Sequence, residues 1–248
     1  MLSSPHFATA TSSSRRLAYS YAATPAAAAE EAVQPVGNIY AEDKVAPGAS
    51  KVYEWFVPDS AGPGSRDGSS VLYAYVSGVD HIEHINAGLV GPLVVYNKGK
   101  MAELSGLHEI PLLLNIQNEM QSVFFKDNLA MHQNKTESKI DTAVDLFEES
   151  NLMHTMNGFV YCNSPVVRFK AGDKVRWMVM GSGSEADMHS PVFDGQAVEF
   201  GGRPVYSVGL MPSTTYVLEM TAHNGTWDYY CNILDHISGG MRARMVVS

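Results

Sequence analysis

The sequence predicts an all-β protein built of sandwiches. Three observations carry this reading. From Gly37 onward, short apolar runs are separated by Gly, Pro, Asn and Asp, the punctuation of strands joined by turns. The composition, 45% hydrophobic and 17% charged with 21 Gly and 12 Pro, is that of a turn-rich globular chain. At the C-terminus Met241, Ala243, Met245 and Val247 alternate with Arg242, Arg244 and Val246, the period of two of a strand with one buried face.

Taken in order, residues Met1 to Ala29 hold no acid and are rich in Ala, Ser and Thr, with Arg15 and Arg16. That is the composition of a transit-type targeting segment or of a disordered start, so residues 1–36 are set aside as a leader. Strands are expected at Lys51 to Val57, Val71 to Ser77, Leu89 to Tyr96, Ile110 to Gln117 and Ser122 to Phe125. Glu137 to Ser150 is more charged and carries Ile140, Val144 and Phe147 at near-helical spacing, which suits a short helix or a link between domains. Further strands are expected at Val166 to Phe169, Lys174 to Met180, Tyr206 to Gly209, Thr214 to Met220 and Met241 to Val247. The chain then divides into a first strand-bearing region over 37–137 and a sandwich over 138–248 that ends the chain.

The charge balance, 17 Lys and Arg against 26 Asp and Glu, argues against a grip on nucleic-acid phosphates or anionic lipid. No apolar run is long enough for a transmembrane helix. The two cysteines, Cys162 and Cys231, could form at most one bridge, so this is not a disulfide-built fold.

Cys231 is followed by His236 and Met241 in a C-x4-H-x4-M pattern, and His189 lies upstream after the Gly181 to Asp187 loop. A thiolate and two imidazoles in a trigonal set, with a thioether held weakly on the axis, form the ligand set of a blue-copper electron-transfer site. Singly, each residue has an ordinary reading as a core thiol, a core filler or a hydrogen-bonded histidine. Their joint spacing, with the Gly239-Gly240 turn before Met241, favours copper. Cys162 has no such company and reads as a free thiol. His81 and His84 have metal-like spacing without a partner and read as a solvated loop. Asn134-Lys135-Thr136 and Asn224-Gly225-Thr226 are glycosylation sequons, meaningful only in a secreted chain.

From about Gly37 to the end the sequence resembles the ceruloplasmin and hephaestin type of multicopper ferroxidase. The resemblance is carried by LYAYVSGVDHIEHINAGLVGPLVVYNKG, NLMHTMNGFVY, GDKVRWMVMGSGSEADMH and GTWDYYCNILDHISGGM. It implies cupredoxin-like Greek-key β-sandwiches, the first lacking its N-terminal strands. It also implies one type 1 copper held by His189, Cys231, His236 and Met241. Positions where the family's oxygen-reducing trinuclear cluster takes histidines hold Val76, Gly78, Val192, Asp194, Tyr230 and Asn232 instead. Oxygen reduction by this chain unaided is therefore not expected.

The same resemblance implies an Fe(II) site at Glu149, His154 and Asp235, with Glu185 reaching the iron site of a neighbouring domain. It implies a secreted or cell-surface setting, and further cupredoxin domains or self-association as partners. The expected function is a ferroxidase-type unit taking electrons from Fe(II). Its rivals are a blue-copper electron carrier without an iron site and a non-catalytic interaction module of the clotting-factor A-domain kind.

Overall fold

A computed structural model describes residues 44–51, 57–65, 67–104, 106–133, 145–184 and 186–248. The leader at 1–36, most of the expected strand at Lys51 to Val57, the sequon Asn134 and Glu185 lie outside the described residues.

Two sheets form the sandwich. One has the order β4-β3-β6-β10-β8-β9: β3 is His108–Asn118, β4 Leu152–Met156, β6 Lys174–Ser182, β8 Val198–Phe200, β9 Arg203–Val205 and β10 Thr215–Thr221. The other has the order β5-β12-β11-β7: β5 is Val167–Phe169, β7 Pro191–Phe193, β11 Gly225–Cys231 and β12 Arg242–Val247. Both sheets are mixed, because β3 runs parallel to β6 and β5 parallel to β12. β3 lies upstream of the 137/138 boundary read from the sequence, yet it pairs with β4 and β6 in the larger sheet.

The core between the sheets follows the strand period. On β12 the buried Ala243, Met245 and Val247 face inward while Arg242 and Arg244 are exposed. Trp177 of β6 is fully buried at the centre, with its ring against Phe193 at 4.9 Å and Tyr229 at 5.0 Å between centroids. Its Nε1 donates to Met220 Sδ at 3.2 Å, which satisfies the one polar atom of the indole.

β6 is buried on both faces because a hairpin covers its outer side. The hairpin strands, β1 (Ser70–Val76) and β2 (Val90–Tyr96), place Leu72, Val94 and Tyr96 against Met178 and Met180. Arg176 is sealed beneath it, 1% exposed. Its Nη1 lies 2.5 Å from Glu109 Oε1, its Nη2 donates to Ser70 Oγ, and Tyr96 donates its hydroxyl to Glu109 Oε2 at 2.5 Å. The ion pair joins β6 to β3, and its bonds to Ser70 and Tyr96 tie the hairpin to these two strands of the larger sheet.

The fold is cupredoxin-like but not strictly all-β. Short helices interrupt it at α1 (His81–Ile85), α2 (Met101–Leu104), α3 (Phe125–Gln133), α4 (Asp145–Ser150) and α5 (Leu234–Ser238). The loop expected at His81 to His84 is α1, capped by Asp80, whose side chain accepts from Glu83 N–H at 2.9 Å. Its His84 lies 2.6 Å from Ser77 Oγ.

The strand expected at Ser122 to Phe125 is a turn opening α3. The Ser122 carbonyl and hydroxyl accept from Phe125 and Phe124 N–H, so the backbone bonds locally and leaves Phe124 exposed. Tyr206 to Gly209 is not a strand either. The strand is β9, just before it, and Ser207 Oγ then bonds the Pro191 carbonyl across to the other sheet.

Arg176→Met is expected to cost about 3–5 kcal/mol, because it strands the half-closed Glu109 carboxylate without its cation. Urea unfolding of the metal-free chain measures this. A loss below about 1 kcal/mol would mean that Glu109 reaches water and the pair is not a lock.

Candidate metal centre

The C-terminal motif folds into one tight corner. β11 delivers Cys231 at its last residue, α5 is a single helical segment carrying His236, and Met241 follows Gly239-Gly240 at the head of β12. Backbone bonds close the corner: Met241 N–H donates to the His236 carbonyl at 2.9 Å and Cys231 N–H to the Met241 carbonyl at 3.1 Å. His189 arrives from the other side, its backbone paired both ways with Leu210 at 2.8 and 2.9 Å.

His189, Cys231 and His236 each present a ligand atom, all within 4.8 Å of one another, and all three residues are buried. Cys231 Sγ lies 3.4 Å from His236 Nδ1 and accepts Ser190 N–H at 3.3 Å. His189 Nε2 lies 2.9 Å from the Ser182 carbonyl. A carbonyl only accepts, so Nε2 carries the proton and Nδ1 keeps its lone pair. That Nδ1 is buried with no hydrogen-bond partner.

Burial pushes both imidazoles toward neutrality. His189 is lowered by desolvation. His236 is pushed down to about 4, chiefly by desolvation and then by the neighbouring His189 and His154. Burial raises the Cys231 thiol, although the backbone N–H groups of Ser190 and Ile233 work the other way. In the metal-free chain the thiol therefore keeps its proton, and a bound cation must displace it.

The residues fit a copper ion. Two neutral imidazoles and a thiol that a cation can deprotonate are borderline and soft donors, and the orphaned Nδ1 lacks only an electrophile. The fully buried Met241 lies five residues after His236 and in the same core cluster as Cys231.

The residues expected to hold iron lie next door. Glu149 of α4, His154 of β4 and Asp235 of α5 line a cavity of about 600 Å³ together with His236. The His154 and His236 rings are 5.2 Å apart. Among the described residues, however, only the His189, Cys231 and His236 donors converge as a metal-binding group; Glu149, His154 and Asp235 share a wall without doing so. Sequence reasoning missed Asp187 and Met188, which also line this cavity. Their place just before His189 was the signal.

Of the positions where histidines were missing, Val192 is buried on β7, and Tyr230 donates to Asp194 Oδ1 at 3.2 Å. Cys162, expected to be incidental, is half-buried and free of any disulfide.

Because the folded His236 titrates near 4 and an unfolded histidine near 6.5, the unfolded chain takes up the proton first as pH falls. The metal-free chain is therefore expected to lose stability as pH drops from about 6.5 to about 4. His236→Gln should flatten that part of a plot of thermal midpoint against pH; an unchanged slope would place the titration elsewhere.

No family model matches the sequence. The chain is similar to hephaestin of Homo sapiens, 34% identical over 209 residues, covering 81% of this chain and 18% of that protein. It is similar to ceruloplasmin of Mus musculus, 33% over 207 residues, covering 81% and 19%, and to the ferroxidase HEPHL1 of Mus musculus, 32% over 206 residues, covering 81% and 18%. The chain thus spans about a fifth of the length of these relatives. Among solved structures it is similar to a copper nitrite reductase from Nitrosomonas europaea, with a TM-score of 0.55 and 18% identity over 82% of this chain and 68% of that one. A copper-containing nitrite reductase from Thermus scotoductus gives a TM-score of 0.52 and 14% identity over 79% and 43%. These two likenesses show the cupredoxin-like fold alone. With one potential type 1-like triad among the described residues, His189, Cys231 and His236, set in that fold, the chain is homologous, as a partial match, to the ceruloplasmin and hephaestin multicopper-oxidase family.

Proposed function

We propose that the chain is a blue-copper electron-transfer unit, with one copper held by His189, Cys231 and His236 and Met241 as a weak fourth donor. The observation that carries this reading is the orphaned His189 Nδ1, buried beside a thiol and a second neutral imidazole. A copper ion bound there would supply a one-electron couple. The protein's part is to hold the donors still: Ser182 fixes the His189 ring, Ser190 N–H fixes the Cys231 sulfur, and the His236 carbonyl ties the Met241 backbone. Donors placed in advance by the fold need little rearrangement when the charge of the site changes. His236, alone of the three triad residues, borders the cavity and offers the way in for an electron.

The copper-loaded chain is expected to bind about one copper and to absorb intensely in the visible. Cys231→Ser should abolish the colour, and Met241→Leu should keep it while moving the potential. A colourless complex, colour surviving Cys231→Ser, or three firmly bound coppers per chain would overturn the reading.

A second reading makes Fe(II) the donor, in a secreted or cell-surface setting. The cavity favours it, since Glu149, His154 and Asp235 meet His236 along its wall. So does the name of one relative, a ferroxidase. Carboxylates beside an imidazole suit iron, and their charge favours the ferric product. Anaerobic Fe(II) added to the oxidised copper protein is then expected to bleach the colour once, with one Fe(III) formed per copper reduced. Glu149→Gln with Asp235→Asn should slow bleaching by Fe(II) and spare bleaching by neutral hydroquinone. Equal slowing of both, or of neither, would leave the carrier reading alone. Glu185, outside the described residues, adds nothing to this test.

A further inference from the structure

Three non-glycine residues in the segment 157–162 have left-handed backbone: Asn157 at φ 52°, Tyr161 at 53° and Cys162 at 59°. Such a conformation is unfavourable for a bulky L-residue and persists only where its surroundings impose it. Core packing does not impose it at Tyr161, whose side chain is among the exposed large hydrophobics at 63%. Hydrogen bonds do.

At one end the segment is pinned to β3: Asn157 Oδ1 accepts Leu113 N–H at 2.7 Å and Nδ2 donates to the Pro111 carbonyl at 2.9 Å. At the other end Tyr161 N–H donates to the Gly240 carbonyl at 2.7 Å and Cys162 N–H to the Arg242 carbonyl at 2.9 Å. Those carbonyls stand on either side of Met241. The Tyr161 ring also lies flat enough on Gly240 that a Cβ there would come within 3.0 Å of three ring carbons. Gly239 is braced in turn by His154, whose Nδ1 would lie 2.6 Å from a Cβ. The glycine turn that delivers Met241 is thus held between two rings and tied on both sides by strained backbone.

We propose that Tyr161 and Cys162 form a strap, made of the Tyr161 ring against Gly240 together with the two N–H bonds to the Gly240 and Arg242 carbonyls, that fixes the backbone on both sides of Met241 and so sets how closely its thioether approaches the copper. Tyr161 is a positioning residue that acts through Gly240, on its carbonyl and against its Cα. The inference rests on the blue-copper reading, with Met241 as the fourth donor. It accounts for strain that the fold alone does not require, since the core is complete without an exposed tyrosine ring.

Tyr161→Gly tests it without threatening the fold, because glycine accepts the left-handed backbone and only the ring is lost. In the metal-free protein, amide exchange at Met241 and Arg242 is expected to quicken about tenfold, while β6 and β10 keep their parental rates. In the copper-loaded protein the potential should move part of the way toward that of Met241→Leu, and Tyr161→Phe should restore both parental values. Parental exchange in Tyr161→Gly, or faster exchange with a parental potential, overturns the strap. A Met241→Leu protein with the parental potential instead overturns Met241 as fourth donor, a failure of the copper reading that the exchange measurement keeps apart from the first.

Discussion

The hydrogen bond from His189 Nε2 to the Ser182 carbonyl decides the chemistry of the centre. It fixes the tautomer, leaves the unprotonated Nδ1 as the nitrogen that can offer a lone pair beside Cys231 and His236, and leaves it buried without a partner. Were the ring free to flip, the buried nitrogen could satisfy itself and the triad would be an ordinary core cluster. Ser182 is the last residue of β6, so the bond depends on that strand's position, and Arg176 and Trp177 on the same strand anchor its two faces.

Burial then acts in the same direction on all three donors. Desolvation lowers both imidazoles and raises the thiol, so the metal-free site holds no charge at neutral pH. A neutral site costs the fold little when empty, whereas a thiolate buried without a cation would cost much. Exchange of the Cys231 thiol proton for a bound metal would be what puts charge into the core. The exposed acids Glu149 and Asp235 remain outside it, on the cavity wall next to His236.

The candidate donors were readable in the sequence because Cys231, His236 and Met241 lie in one short local pattern, and a corner between two strands can close over such a stretch whatever surrounds it. Most long strands were readable as well, β6 from the apolar run Trp177 to Met180 and β12 from its alternation. β7 and β8, three residues each, are too short to carry a period, and β4 was hidden in a stretch with charged and polar neighbours. The Ser122 to Phe125 run misled because a serine ahead of aromatic residues can close a turn on itself, which apolarity does not reveal.

By itself the sequence determined the strand-built sandwich though not its short helices, the candidate donor types and their spacing, and the lack of histidines at Tyr230, Asn232, Val192 and Asp194, since each of these depends on residue identity and local order alone. Only the tertiary structure decided which nitrogen of His189 faces the sulfur, that β3 joins the larger sheet across a long stretch of chain, and that Glu149, His154 and Asp235 share a wall with His236. It alone placed Tyr161 and Cys162 astride Met241. These are contacts between residues far apart along the chain, made by hydrogen bonds and packing, and spacing within a sequence carries no record of them.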